Sequence, residues 1–242
     1  MTIPMKLDIL AIAAHPDDIE LSCAGTLAKE ASRGKKTGIL DLTRGELGTR
    51  GSAAIRDTEA ARAAQILKLS MRENLGFKDG FFKNDEAHQL KVIKIIRKYK
   101  PEIVLCNAVQ DRHPDHAKGS ELASVSCFLS GLRKIETTLD GVVQDAWRPK
   151  FVYHYIQWQD LKPDLVVDIT GFMDVKLEAV AAYSSQFHDP TSDEPVTPIS
   201  STNFFESIKY RAANLGRLVN VEHAEGFTVE RYPAVDSLFD LK

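Results

Sequence analysis

The feature that most constrains the fold is a short apolar run close to the start of the chain, LDILAIAA at residues 7–14. The run is too short and too uniformly apolar for an amphipathic surface helix, so it predicts a central parallel strand that is buried on both faces. A second run, IVLC at residues 103–106, has the same character. Histidine and aspartate residues follow both runs, so polar side chains are expected just beyond the ends of two buried strands.

Strand patterns alternate with helix patterns along most of the chain. Strands are predicted at residues 7–14, 36–42, 72–77, 102–108, 151–157, 164–169 and 226–231. Helices are predicted at residues 21–32, 53–69, 84–99, 116–132, 174–187 and 204–219. This alternation indicates an α/β fold with a doubly wound, Rossmann-like, mostly parallel sheet and helices on both faces. Because no internal repeat or domain boundary is evident, residues 1–242 are predicted to form one domain.

Composition and charge exclude several classes of partner. The chain carries a formal net charge of -3 and no cluster of lysine and arginine, so no nucleic-acid partner is expected. No apolar run approaches the roughly twenty residues of a membrane span, and the first residues lack the pattern of a secretory signal. The three cysteines, Cys23, Cys106 and Cys127, are far apart and predict buried reduced thiols. Together these features predict a cytoplasmic protein.

The chemistry is carried by two motifs, AHPDD at residues 14–18 and HPDH at residues 113–116. In an open α/β sheet, ligands bind beyond the carboxyl ends of the strands, which is where both motifs are expected. Imidazole and carboxylate suit a catalytic divalent metal, most simply Zn²⁺ with three protein ligands, although Fe²⁺ or another divalent ion is compatible with the same set. The candidate ligands and catalytic groups are His15, Asp17, Asp18, His113, Asp115 and His116.

The spacing suggests how these groups could divide the work of a hydrolase. Asp17 and Asp18 are neighbours whose side chains leave the backbone in different directions, so one can ligate the metal while the other faces the substrate. Spacing alone does not say which. His113 and His116 are three residues apart and could lie on the same side of a first helical turn. Asp115 could orient a histidine through the ring nitrogen that faces away from the metal.

Each motif also has a purely structural interpretation. An Asp-Asp pair before a helix is often only a cap with a favourable dipole interaction, and a lone HxxH occurs by chance. The presence of both motifs at strand ends in one chain makes that interpretation much weaker. The glycine-rich segment 45–51 lacks the spacing of a phosphate-binding loop, so no nucleotide site is predicted there.

The paired motifs resemble the signature of the LmbE-like, or PIG-L-type, zinc-dependent N-deacetylases. Further segments resemble one branch, the bacillithiol biosynthesis deacetylases, which remove acetate from N-acetylglucosaminyl malate. These segments are Asp41-Leu42-Thr43, Ile55-Arg56, Asp111-Arg112, Ala182-Tyr183-Ser184-Ser185-Gln186-Phe187 and His223-Ala224-Glu225-Gly226-Phe227. The resemblance covers nearly the whole chain, and it implies the hydrolysis of an acetamide on a small N-acetyl sugar. Alternatives are another N-acetyl sugar as substrate, or a non-catalytic module that binds a metal or sugar.

The resemblance also implies roles for individual residues. The zinc ligands that it implies are His15, Asp18 and His116. Asp17 would be the general base, and His113 would stabilise the tetrahedral oxyanion or protonate the leaving amine. Asp115 would adjust His113 or its surroundings.

Substrate contacts are implied by the same resemblance. Arg56 and Arg112 would bind the two carboxylates of malate, because a guanidinium can hold a carboxylate through two hydrogen bonds. Without the resemblance, Arg56 would be taken for an exposed residue on an alanine-rich helix. A homo-oligomer, often a hexamer, is expected from the branch. The long segment 188–202 is interpreted as a loop, with His188 and Asp189 as loop residues. The aromatic residues, Trp158 among them, are expected in the core or in a subunit interface.

Overall fold

The computed structural model describes residues 5–187 and 193–241. His188 and Asp189 lie outside the described residues. The strands are β1 Ile9–Ala13, β2 Thr37–Thr43, β3 Met71–Phe77, β4 Ile103–Cys106, β5 Thr138–Leu139, β6 Val142–Val143, β7 Phe151–Tyr155, β8 Leu165–Asp168 and β9 Ala224–Val229. The α-helices are α1 Asp18–Ser22, α2 Ala24–Ser32, α3 Ala53–Ile66, α4 Glu86–Tyr99, α5 Pro114–Ser130, α6 Met173–Ala181 and α7 Thr202–Arg217, and a short 3₁₀ helix spans Leu238–Asp240.

Seven of the strands form one sheet in the order β3-β2-β1-β4-β7-β9-β8. The first five strands of this order, β3, β2, β1, β4 and β7, pair in parallel. Strand β9 runs antiparallel to both of its neighbours, β7 and β8. The remaining two strands, β5 and β6, form a separate hairpin. The doubly wound, mostly parallel α/β architecture is therefore confirmed. The strand directions at one end of the sheet are the part that the sequence pattern did not predict.

The two faces of the sheet are covered by different helices. Alternate residues of β1 point to opposite faces, and every one of its five residues is buried. Leu10 and Ile12 pack in a core cluster with residues of α4 and α5, whereas Ile9, Ala11 and Ala13 pack with residues of α1, α2 and α6. This arrangement explains why the first strand is an unbroken apolar run, because neither face of it meets water.

The first helical segment differs from the prediction. Instead of one helix over residues 21–32, the chain forms α1 and α2, which meet at Cys23. The Glu225 carboxylate accepts hydrogen bonds from the backbone N–H groups of Gly25, at 3.0 Å, and Thr26, at 2.7 Å. A carboxylate from β9 thus caps the start of α2, which compensates for the interrupted helix. The early start of α1 brings Asp17 and Asp18 to a helix N-terminus.

Three smaller findings concern the other sequence predictions. The helix predicted at residues 174–187 ends at Ala181, and the following residues form turns. Cys23, Cys106 and Cys127 are buried free thiols, as predicted. Within the described part of the chain, none of the helices is long and apolar enough to cross a membrane.

Candidate metal centre and its cavity

The two motifs meet at one edge of the sheet because β1 and β4 are parallel neighbours. The first motif follows β1 directly, and the second lies at the start of α5, shortly after β4. Both border a cavity of about 430 Å³ that also receives side chains from α3, α7 and several loops. Its position beyond the carboxyl ends of the parallel strands is the one in which open α/β sheets bind ligands.

Three ligand-type side chains converge at the bottom of this cavity. The Nε2 atom of His116 lies 3.0 Å from Oδ1 of Asp18, and Nδ1 of His15 lies 3.7 Å from Oδ2 of the same carboxylate. His15 and Asp18 are almost completely buried. The ring nitrogens of His15, His113 and His116 also come within 4.8 Å of one another. Two imidazoles around one carboxylate form a donor set that suits a divalent transition metal.

Both histidines are hydrogen-bonded to further carboxylates through the ring nitrogen that faces away from Asp18. His15 Nε2 donates a hydrogen bond to Oδ1 of Asp79 at 3.0 Å and lies 3.5 Å from Oδ2 of Asp115. His116 Nδ1 donates to Oδ2 of Asp111 at 2.9 Å. Each ring therefore turns its other nitrogen towards Asp18. This pairing of carboxylate with histidine is the usual support of metal-binding imidazoles, so the residues present fit a divalent cation.

The Asp18 carboxylate is fixed by two side-chain amides. Asn107 Nδ2 donates to Oδ2 at 2.9 Å, and Gln157 Nε2 donates to Oδ1 at 3.1 Å. Burial alone would raise the pKa of Asp18, but the adjacent His116 and His15 outweigh it and hold the pKa well below its ordinary value. Asp18 is therefore ionised at neutral pH, as a ligand must be.

Asp17 differs from Asp18 in its backbone conformation, its polar contacts and its pKa. Its backbone is left-handed, with φ 111°, which is uncommon for a residue with a side chain. Its carboxylate is almost fully buried and has no hydrogen bond or ion pair within the described part of the chain. Burial and the nearby Asp18 raise the pKa of Asp17 to about 7, against the opposing influence of Arg56 and His15. A carboxylate of this kind can accept a proton near neutral pH.

His113 is the N-cap of α5, and its ring faces the cavity. Its Nδ1 atom accepts a hydrogen bond from the backbone N–H of Asp115 at 3.2 Å. Burial and the two neighbouring histidines, His15 and His116, lower the pKa of His113. The ring is therefore neutral at pH 7, and its proton is on Nε2 because Nδ1 is an acceptor. A neutral imidazole in this tautomer is a hydrogen-bond donor towards the cavity.

Asp115 contacts His113 only through its backbone. Its carboxylate instead approaches His15, accepts from the backbone N–H of Gly80 at 2.7 Å and pairs with Lys118 at 2.5 Å. Burial alone would raise the pKa of Asp115, but the bonds from His15 and Lys118 lower it. The resemblance gave Asp115 a role towards His113 or its surroundings, and in the structure its carboxylate supports His15.

The two sequence-predicted arginines lie in different parts of the cavity wall. Arg56, on α3, is almost completely buried, donates to Oε1 of Gln186 and lies beside Asp17. Its guanidinium packs so closely on Gly45 that a Cβ there would lie 1.9 Å from Nη1. The default interpretation of Arg56 as an exposed helix residue is therefore wrong. Arg112 is exposed at the rim, where its guanidinium lies 4.5 Å from the centre of the Trp158 ring.

Several residues of the site were given no role from the sequence, although Asp111 was named as part of the segment Asp111-Arg112. Asp79, Asn107, Asp111 and Gln157 support the metal-type side chains, and each lies just beyond a parallel strand, β3, β4 or β7. The rule that selected the two motifs applies to them equally, so their position was the available signal. Trp158 was expected in the core or in an interface. It is 42% exposed and lines the cavity, so the core position is wrong, whereas a subunit interface stays a prediction.

Comparisons with known proteins agree with this geometry. The PIG-L family model, described as GlcNAc-PI de-N-acetylase, matches residues 10–127, which include both motifs. A diacetylchitobiose deacetylase from Thermococcus kodakarensis is 30% identical over 189 residues, spanning 74% of this chain and 70% of that protein. The chain belongs to the PIG-L family. Outside the matched range, α7 of this family member contributes to the cavity wall, and β7, β8 and β9 complete the sheet.

Solved structures of similar chains share the whole architecture of this PIG-L protein. The conserved protein TT1542 from Thermus thermophilus is 36% identical, with a TM-score of 0.84 over 96% of this chain and 98% of that one. The N,N′-diacetylchitobiose deacetylase from Pyrococcus horikoshii is 27% identical, with a TM-score of 0.77 over 91% of this chain and 82% of that one. The similarity thus extends well beyond the segment that holds the two motifs.

Proposed function

We propose that this protein is a zinc-dependent N-deacetylase that hydrolyses the acetamide of an N-acetylglucosamine-containing small molecule. Membership of the PIG-L family supports the reaction class, as do the relatives that are named diacetylchitobiose deacetylases. The observation that carries the proposal is the pair of adjacent aspartates. Asp18 is surrounded by two imidazoles, whereas the buried Asp17 carboxylate has no polar partner in the described part of the chain.

His15, Asp18 and His116 would hold the zinc ion. A bound Zn²⁺ would supply Lewis acidity to the acetamide carbonyl and lower the pKa of water. Asp17 then accepts a proton from the attacking water. His113 donates a hydrogen bond from Nε2 to the oxygen that becomes negative as the carbonyl carbon turns tetrahedral. The leaving nitrogen gains a proton when the C–N bond breaks, so water and amide become acetate and a free amine.

Within this class we propose N-acetylglucosaminyl malate, in bacillithiol biosynthesis, as the substrate. Support comes from the resemblance to that branch and from the positively charged side chains Arg56 and Arg112 in the cavity wall. The alternative is a neutral N-acetyl sugar of the chitobiose type, which the names of two relatives favour. Fe²⁺ in place of Zn²⁺ stays compatible with the ligand set.

The test is acetate release from both substrates by protein with and without metal. Asp17→Asn is expected to lower turnover by about 10²–10⁴-fold, because only the base is lost. Zinc content, measured by atomic absorption, should be unchanged. Asp57→Asn is the matched control, since Asp57 is an exposed aspartate on α3 that pairs with Arg44.

Two results would contradict the proposal. Near-normal turnover by the Asp17→Asn protein would remove Asp17 from the mechanism. Zinc binding without acetate release from any N-acetyl sugar would instead favour a non-catalytic module that binds a metal or sugar.

A further inference from the structure

Three guanidinium groups in the cavity wall, those of Arg56, Arg112 and Arg211, have no carboxylate at ion-pair distance within the described part of the chain, and Arg56 is already bound to Gln186. Arg112 lies in the loop before α5, and Arg211 lies on α7. Neither forms an ion pair with any residue that the structure describes. By contrast, Arg72 is paired with Asp41 and Glu20. Arg211 is partly buried, and burial lowers its pKa more than the charges of Asp160 and Asp111 raise it, so an anionic ligand would offset the remaining desolvation penalty.

Arg211 is partly buried but uses only one of its three guanidinium nitrogens. Nη2 donates to the carbonyl oxygen of Gln157 and, at 3.4 Å, to that of Ile156. Nε and Nη1 have no acceptor within the described part of the chain. Arg97 shows the contrasting case of a structural arginine without a carboxylate, because Nε, Nη1 and Nη2 all donate to nearby oxygens. Two guanidinium nitrogens of Arg211 therefore lack an acceptor within the described residues, whereas all three of Arg97 have one.

Arg112 is held in place without using its side-chain donors. Its guanidinium stacks on the indole of Trp158, which stacks in turn on Phe204 with 5.6 Å between the ring centres. Phe204 stacks on Phe187 at 6.1 Å. This column of three rings runs from the cavity rim into the protein, so it is a stiff support for the guanidinium.

The two guanidiniums contact adjacent residues of one segment. Arg112 lies on the ring of Trp158, and Arg211 binds the carbonyl oxygen of Gln157. The Gln157 side chain itself bonds to Asp18, so this segment links the metal-type centre to the rim. Arg56 is separate, since it is bound to Gln186 and lies beside Asp17.

We propose that Arg211 and Arg112, supported by Trp158, form a subsite for an anionic group on the part of the substrate that is not acetylated. Arg211 is the specificity-determining residue that the sequence did not reveal. The ligand chemistry is a carboxylate or a phosphate, either of which accepts paired hydrogen bonds from a guanidinium. The inference rests on the proposed function only in taking the ligand to be an N-acetyl sugar.

The experiment measures binding, so it does not depend on turnover. Calorimetry uses zinc-loaded Asp17→Asn protein with three ligands: N-acetylglucosaminyl malate, N-acetylglucosamine 1-phosphate and neutral N,N′-diacetylchitobiose. Adding Arg211→Gln to this protein should weaken the binding of at least one anionic ligand by about 10–100-fold, the usual range for a hydrogen bond to a charged group. The neutral ligand should change by less than about twofold. Arg211→Lys, which keeps the charge, should recover part of the affinity.

Lys209→Gln is the matched control, because Lys209 is an exposed cation on the same helix. It should leave all three affinities unchanged. Equal weakening of neutral and anionic ligands by Arg211→Gln would mean that Arg211 only holds the Gln157 segment, and would overturn the subsite. The absence of any preference for an anionic ligand before substitution would also overturn it. A protein that binds anionic sugars selectively but releases no acetate would keep the subsite and contradict the proposed function instead.

Discussion

At the scale of single residues, Asp17 and Asp18 show how neighbours of one chemical type acquire opposite properties. Both are buried, and burial raises the pKa of either carboxyl group. Asp18 has two imidazoles and two amide donors against it, whereas Asp17 has none of these contacts. The pKa of Asp18 falls and that of Asp17 rises to about 7. The partners, rather than the depth of burial, therefore decide which carboxyl group has the lowered pKa and which has the raised one.

The raised pKa of Asp17 predicts how kcat/KM depends on pH on the acid side, that is, the acid limb of the pH profile. Asp17 works only when ionised, so kcat/KM should fall as the pH drops through the pKa of Asp17, which is about 7 without metal and lower beside a cation. Arg56→Gln removes a positive charge that lowers this pKa, so the limb should move to higher pH. Arg44→Gln, an exposed arginine paired with Asp57, is the control and should leave the limb in place. An unchanged limb in the Arg56 variant would argue against Asp17 as the titrating base.

His113 gives a second test at this scale. His113→Ala should lower kcat by about 10²–10³-fold, because a donor to the developing oxyanion is lost. Zinc content should be retained, since His113 is not among the three proposed ligands. His88→Ala serves as the control, because His88 is a histidine on α4 that pairs with the exposed Asp85. Loss of zinc from the His113 variant would instead make His113 a ligand, which its closeness to His15 and His116 also allows.

The sequence could predict these roles only in part. The six motif residues were found because ligand-type side chains followed buried strands, and the structure brings all six to one cavity or its wall. Spacing could not distinguish Asp17 from Asp18, because the distinction depends on His116, about a hundred residues away. The place of Trp158 in the cavity wall was not predicted, because an aromatic residue after a strand gives no sign of whether it packs inward or lines a cavity.

At the scale of elements, the glycine-rich loop after β2 is shaped by Arg56. Gly45 has φ +63° and Gly48 also lies against the guanidinium, so neither position has room for a side chain. The loop therefore needs glycine for close approach as well as for backbone conformation. The sequence analysis could only reject it as a nucleotide loop, since the arginine that it wraps belongs to the following helix.

Gly45→Ala should consequently displace Arg56 and lower activity by at least tenfold, if contacts to a charged group worth about 1.5–3 kcal/mol are lost. Gly34→Ala is the matched control, because Gly34 has φ +82° but no atom within 4 Å of a new Cβ. Both substitutions should lower the free energy of unfolding by about 1 kcal/mol through the backbone. Chemical denaturation and acetate release together separate the two effects. Equal activity in both variants would show that Arg56 can move without consequence.

The break between α1 and α2 was missed for a related reason. Helix propensity over residues 21–32 favours one continuous helix, and nothing local signals an interruption. The interruption is stabilised by Glu225, some 200 residues later, whose carboxylate caps α2 and pairs with Lys176 at 2.6 Å. Tertiary contacts of this range override local preference, and a single sequence does not reveal them.

At the scale of the whole molecule, a bound metal should join two distant parts of the chain. The proposed ligands come from the segment after β1 and from α5, which lie about a hundred residues apart in the sequence. At free zinc about a thousandfold above Kd, binding would stabilise the fold by about 4 kcal/mol. For a chain of this size, that corresponds to a rise in Tm of roughly 8–16 °C.

Differential scanning calorimetry with zinc and with a chelator checks this expectation. Asp18→Asn should abolish most of the difference between the two conditions, whereas Asp57→Asn should preserve it. A Tm that does not respond to the metal would contradict the proposed ligand set. The single domain and the homo-oligomer stay predictions, and analytical ultracentrifugation would test the second.

The order of the strands in the sheet could be predicted from the sequence only in part. Alternation of strand and helix predicts the parallel pairing of β1, β2, β3, β4 and β7, because each crossover connection is local and right-handed by rule. It does not predict that β9 inserts between β7 and β8, since strand direction at a sheet end is decided by pairing between distant segments.

That insertion has a consequence for synthesis. Among the strands that the structure describes, β8 pairs only with β9, which follows it in the chain after α6 and α7. During translation β8 must therefore leave the ribosome well before its partner exists, and it waits unpaired while α6 and α7 are made. The five parallel strands and the metal-type residues of both motifs precede this point. A nascent chain could thus bring the proposed metal ligands together before Arg211 and β9 emerge, so the proposed metal centre would form first and the proposed anion subsite last.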